Sequence, residues 1–132
     1  GTIAIVFCDV DRLKEVNDTL GHAAGDAVLT AVAERLASAI RASDDIGRLG
    51  GDEFVVLLEG VASAADLQAI AEKIRRQVEG DVSFQGRSIR VSTSVGATFV
   101  RPGEDPDAAL QRADAALLLA KSQGRNQAVV TG

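Results

Sequence analysis

The sequence contains no Trp, no Tyr and no Met, and only four Phe, two Pro, one Cys and one His. Without large aromatics the core must be aliphatic, built from Val, Leu, Ile and Ala. The lone Cys8 excludes an internal disulfide, which suits a reducing, cytoplasmic setting. It stands inside an apolar run and reads as a small core residue. A single His and no second Cys leave no ligand spacing for a zinc site. Basic residues are in deficit: 14 Lys and Arg against 19 Asp and Glu give a formal charge of −5. Such a chain lacks the basic surface that nucleic acid or an anionic membrane requires, so neither is an expected partner. Any phosphate ligand must be held at a local site, with metal ions. The longest apolar run, Ile3 to Cys8, is far short of the ~20 residues that span a bilayer. No signal-peptide pattern precedes it.

What is present fits one domain, residues 1–132, with 46% apolar residues for its core. Ile3 to Cys8 is apolar without alternation and predicts a strand buried on both faces. Helices are predicted over Leu13–Leu20, Ala24–Ile40, Ala64–Val78 and Asp107–Ser122, with Asp107 as N-cap of the last and Gly124 ending it. Ile46–Leu49 and Glu53–Leu58 read as strands joined by Gly50-Gly51. Val82–Phe84 and Ile89–Phe99 read as further strands, and Gln127–Val130 as an edge strand. Alternating strands and helices with inserted hairpins indicate helices packed over a mixed, partly antiparallel sheet.

Four groups of residues carry chemistry. Asp9-Val10-Asp11 ends the first strand, where two carboxylates and a carbonyl offer hard oxygen ligands for Mg²⁺; the triplet equally suits helix capping. Gly50-Gly51-Asp52-Glu53-Phe54 places two acids on a tight turn. If that hairpin lies beside the first strand, Asp9, Asp52 and Glu53 form a cluster that repels itself unless neutralised. Asn17, His22 and Asp26 lie in one run. A carboxylate can accept from the donor edge of guanine, and Asn can both donate and accept; for His22 a structural hydrogen bond fits as well. Lys14, Arg48, Lys121 and Arg125 are cations that would serve a polyphosphate if they converge.

Together these segments resemble the GGDEF domain of bacterial diguanylate cyclases. Gly50-Gly51-Asp52-Glu53-Phe54 is the signature unaltered. Asp9-Val10-Asp11, Lys14, the Asn17–Asp26 run, Ser94-Val95-Gly96, Ala113-Asp114, Ala120-Lys121 and Gly124-Arg125-Asn126 surround it in order. The resemblance spans nearly the whole chain. It implies an α+β, palm-like fold related to adenylyl cyclases and polymerases, with a mainly antiparallel central sheet covered by helices. It implies condensation of two GTP into cyclic di-GMP and two pyrophosphates. Asp9, the Val10 carbonyl, Asp52 and Glu53 are then the ligands of Mg²⁺ or Mn²⁺, two per active half-site. Asn17, His22 and Asp26 read guanine. Lys14 offsets charge in the transition state, and Arg48, Lys121 and Arg125 contact the substrate. Asp52 or Glu53 is the base. One domain holds one GTP, so a second GGDEF domain is the expected catalytic partner.

Arg41-Ala42-Ser43-Asp44 matches the family's Arg-x-x-Asp product-inhibition site, with Lys73, Arg75 or Arg76 as the further basic residue. As a simpler alternative, Arg41 interacts with the helix dipole. Leu13 and Leu118 replace a common Phe and Tyr, and both are expected in packing. The resemblance also implies a helix ahead of the first strand, which these residues lack, and a fused regulatory domain in a parent protein that could be membrane-anchored. A non-catalytic module binding GTP or cyclic di-GMP is the alternative function.

Overall fold

The computed structural model describes residues 2–132. The chain runs β1 (Ile3–Val10), α1 (Leu13–Leu20), α2 (His22–Ala39), β2 (Asp45–Arg48), β3 (Glu53–Glu59), α3 (Ala64–Val78), β4 (Gly80–Phe84), β5 (Arg87–Val91), β6 (Thr93–Val100), α4 (Pro106–Ser122) and β7 (Ala128–Thr131). Five strands form one sheet in the order β2-β3-β1-β6-β7, and β4-β5 form a separate ribbon. Every pair is antiparallel except β6–β7. This is the mixed, mainly antiparallel α+β architecture expected.

β1 is the central strand, which explains its unbroken apolar run. Ala4, Val6 and Cys8 face α2 and α3, in a core with Val28, Val32, Leu36, Leu67 and Ile74. Ile5 and Phe7 face the other way, onto Ala109, Ala113 and Leu117 of α4. By strand alternation Asp9 lies on the α4 side. α4 packs very close to β6: a Cβ at Gly96 would lie 2.2 Å from the Leu117 backbone nitrogen and 2.6 Å from the Ala113 oxygen. Only glycine permits that approach. Cys8 is fully buried; burial, with the charges of Asp9 and Glu53, pushes its thiol up to about 12. It is a core residue, as its setting in the sequence indicates.

Strand ends shift from the periodicity by one or two residues at β2, β4 and β7, and three larger differences stand out. The segment Ile89–Phe99 is not one strand. It breaks at Ser92 into β5 and β6, which belong to different sheets. The α4 cap is Asp105, whose carboxylate accepts from the Asp107 backbone N–H at 2.9 Å, with Pro106 at the first turn. Proline there loses no needed donor, and Asp107 falls inside the helix. α2 begins at His22 and ends at Ala39. Leu13 is buried as expected, but Leu118 is 56% exposed and is not a core residue. Among the described residues no helix is long and apolar enough to cross a membrane.

Candidate active site

The site forms at one end of the central strands. β1 and β3 pair with Asp9 opposite Glu53, and the Val10 N–H donates to the Asp52 carbonyl at 2.9 Å. The Gly50-Gly51 turn therefore lies beside the end of β1, as the acidic residues required. Arg48 holds that turn: its guanidinium donates to the carbonyls of Gly50 at 3.0 Å and Gly51 at 2.7 Å.

Asp9 is 5% exposed. Its Oδ2 is ion-paired with Lys121 from the end of α4. Its Oδ1 is buried without any partner, an uncommon state for a carboxylate oxygen. Burial pushes the Asp9 carboxyl up to about 6; Lys121 opposes this and the nearby Asp52 charge adds to it. Glu53 is raised as well, by burial and then by the charge of Asp114. Lys121 remains charged: burial works against it, but Asp9, Asp52 and Glu53 raise its pKa. The orphaned oxygen beside a second carboxylate fits a hard divalent cation. Among the described residues, no group of three His, Cys, Asp or Glu is tight enough to enclose an ion by itself.

Two adjoining clefts open here. The first, of about 390 Å³, is bounded by Asp9, Val10, Lys14, Asp52, Lys121 and Arg125. The second, of about 510 Å³, is bounded by Asn17, His22, Asp26, Arg48 and Gly51, and shares Lys14 and Asp52 with the first. Both volumes suit a small ligand. Between them the two clefts are lined by Asn17, His22, Asp26, Arg48, Lys121 and Arg125. Glu53 lines neither cleft. Asn17 is seated by Gly25: a Cβ there would lie 1.8 Å from the Asn17 Oδ1.

Asp11 also borders the first cleft, but both of its carboxylate oxygens are engaged by neighbouring backbone and side chains. Its Oδ2 accepts from Ser92 Oγ at 2.7 Å and from the Asn126 backbone N–H at 3.0 Å, and its Oδ1 accepts from Ser94 Oγ at 2.6 Å. These bonds fix the break between β5 and β6. They also fix the loop after α4, where Gly124, Arg125 and Asn126 all have positive φ, of 115°, 64° and 48°. Asn126 is tied again by its side chain, which donates to Glu79 at 2.7 Å and accepts from Arg75 at 3.0 Å. The sequence marks Asn126 only as part of the Gly124-Arg125-Asn126 segment and gives it no role, because its bond to Asp11 joins residues 115 positions apart.

Arg41 and Asp44 lie at the other end of the sheet. Asp44 accepts from the Arg41 backbone N–H at 2.9 Å and from its guanidinium at 3.3 Å, and weakly from the Glu59 N–H at 3.4 Å. Arg41 also donates to the Glu59 carbonyl. Burial works against the Asp44 charge, but these donors outweigh it and lower its pKa. Glu59 pairs with Ile3 whereas Glu53 pairs with Asp9, so the Arg41 cluster stands about 20 Å from the acids. Arg75 is engaged by Glu72, Glu79 and Asn126, whereas Lys73 and Arg76 are exposed.

The architecture and the Gly50–Phe54 turn define a class before any single relative is considered. A family model described as "Diguanylate cyclase, GGDEF domain" matches residues 1–127. The chain belongs to this family. It is 43% identical over 125 residues to diguanylate cyclase TpbB of Pseudomonas aeruginosa, covering 93% of this chain and 29% of that protein. The crystal structure of the GGDEF domain of TpbB superposes with a TM-score of 0.93 at 40% identity, over 99% of this chain and 83% of that one. The GGDEF domain of DgcB from Caulobacter crescentus, solved in complex with c-di-GMP, gives a TM-score of 0.90 at 30% identity, over 98% and 77%. The chain therefore spans under a third of the length of the curated relative TpbB.

Proposed function

We propose that this domain condenses two molecules of GTP into cyclic di-GMP, releasing two pyrophosphates. The observation that carries the reading is the buried, half-satisfied Asp9, set beside Asp52 in a cleft edged by Lys14, Lys121 and Arg125. Membership of the diguanylate cyclase family supplies the nucleotide and the product.

Asp9, the Val10 carbonyl, Asp52 and Glu53 would hold Mg²⁺ or Mn²⁺. Such ions lower the pKa of the attacking hydroxyl and stabilise the leaving oxygens. The protein does the remainder by positioning and charge. Asn17, His22 and Asp26 read the guanine in the second cleft. Arg48 lines the second cleft and holds the Gly50-Gly51 turn at its edge. Lys14, Lys121 and Arg125 surround the triphosphate. The 3′-oxygen of one GTP bonds to the α-phosphorus of the other as the bond to the β-phosphate oxygen breaks. Its proton passes to Asp52 or Glu53, and pyrophosphate leaves with the bonding electrons. One domain binds one GTP, so turnover requires a second domain facing the first. Arg41 and Asp44 form the product-binding site; for product to bind, the guanidinium, whose side chain is 58% exposed, swings from Asp44 and Glu59 to the ligand.

The test is incubation of the chain, fused to a dimerising segment, with GTP and Mg²⁺. Cyclic di-GMP and pyrophosphate are expected, and Asp52→Ala should retain the fold and form neither. Bound GTP without product would establish the regulatory-module alternative instead.

A further inference from the structure

The loop that presents Arg125 is held in a conformation its own residues do not favour. Gly124 adopts positive φ freely, but Arg125 and Asn126 follow it with φ of 64° and 48°. Consecutive non-glycine residues in the left-handed region need outside support. Part of that support is local, since the Arg125 N–H donates to the Ala120 carbonyl at 3.1 Å; the rest, which falls on Asn126, is long-range. It comes from the Asp11 carboxylate on the Asn126 backbone N–H, and from Glu79 and Arg75 on the Asn126 side chain. The Asp11 carboxylate is itself oriented by the hydroxyls of Ser92 and Ser94. Both oxygens of Asp11 are thereby engaged, while Asp9, two residues earlier on β1, keeps one oxygen without a partner. The two acids of the Asp9-Val10-Asp11 triplet are divided between different tasks.

We infer that Asp11 and Asn126 are positioning residues that hold the Gly124–Asn126 loop so that Arg125 faces the triphosphate cleft. The inference rests on the proposed role of Arg125 as a triphosphate contact. Its chemistry is specific. The Asn126 backbone N–H can only donate, so its partner must be an acceptor at that point. The two serine hydroxyls can both donate and accept. An Asp11→Asn side chain can present its oxygen to Asn126 and its amide to Ser94, whereas Asp11→Ala leaves the loop without its anchor.

The experiment is a binding double-mutant cycle on the chain, with Mg²⁺, using α,β-methylene-GTP and GMP as probes. Asp11→Ala is expected to weaken the triphosphate about tenfold and to leave GMP within about twofold, because the guanine residues are untouched. Arg125→Ala should show the same split. The double variant should lose no more than either single one, since both remove the same contact. Asp11→Asn should restore most of the affinity. Additive losses, or equal weakening of GMP and the triphosphate by Asp11→Ala, overturn the positioning role while leaving Arg125 as a phosphate contact. An Arg125→Ala variant that binds the triphosphate like the unaltered chain overturns both assignments. If Asp11→Ala does not fold, Ser94→Ala, which loosens Asp11 without removing it, is put through the same cycle, with the same split and the same lack of additivity expected.

Discussion

Asp9 costs this domain stability, and its neutral isostere should return it. The Asp9 side chain is 8% exposed and its pKa is raised from 3.8 to about 6. Between those two values the native state keeps a proton that the unfolded chain has released. Stability must therefore fall as pH rises through that window, the reverse of the usual carboxylate. A shift of this size corresponds to ~3 kcal/mol at neutral pH. Asp9→Asn fixes the uncharged form, so the variant should be more stable than the unaltered chain at pH 7.5 by about that amount. At pH 3.5 the two should be nearly equal. Lys121 loses its partner in the variant, but its side chain is 32% exposed and can turn toward water. Urea unfolding of both chains from pH 3.5 to 7.5, without divalent ions, reads the difference. For a domain of this size the midpoints should separate by roughly 1–3 M as pH rises. Subtracting the two curves removes the other titrating groups, among them Glu53, whose pKa is also raised. Parallel curves across the whole range would refute the claim that burial of this charge dominates its energetics. The same substitution should abolish product formation, which sets stability against function at a single atom.

Other perturbations follow from the packing. Gly96→Ala drives a methyl into the Leu117 backbone, 2.2 Å away; a loss of about 3 kcal/mol or failure to fold is expected in thermal unfolding, and a midpoint within about 2 °C of the parent would contradict it. Gly25→Ala meets the movable end of Asn17 instead, at 1.8 Å. It should leave the melting temperature nearly unchanged yet weaken guanine nucleotide binding by about tenfold or more, and calorimetric titration with GMP measures this. Arg41→Ala should abolish cyclic di-GMP binding at the second site. It should also destabilise the chain by about 1–3 kcal/mol, because the buried Asp44 loses its guanidinium partner. Equal product affinity in both proteins would remove that role from Arg41.

The architecture was largely legible because the central strand and the amphipathic helices carry strong periodic signals. β1 announces itself by six consecutive residues, Ile3 to Cys8, without a charge. What escaped was decided at long range. Ile89–Phe99 keeps a strand-like pattern across Ser92, and nothing local marks the break. It is made by Asp11, which binds Ser92 and Ser94 from 81 and 83 positions away. The shift of the α4 cap from Asp107 to Asp105 had a local signal in Pro106, since proline favours the first helical position. The residues of the site were visible as motifs, but their division of labour was not. Asp9 and Asp11 are equivalent on paper, and strand alternation cannot say which serine or which lysine each one meets. Leu118 shows the same limit: the apolar residues of α4 exceed the face that the sheet covers, so Leu118 and its neighbour Leu119 are left to solvent.

Gly96 has a wider consequence than local fit. It underlies Leu117, one helical turn before Lys121 on the same face of α4. The separation between helix and sheet at that point is therefore set by backbone meeting backbone, with no side chain to yield. Because Lys121 is carried on that helix and Asp9 on the neighbouring strand β1, the missing methyl works as a gauge block for the ion pair. The spacing of the two charges is specified by an atom that the sequence leaves out.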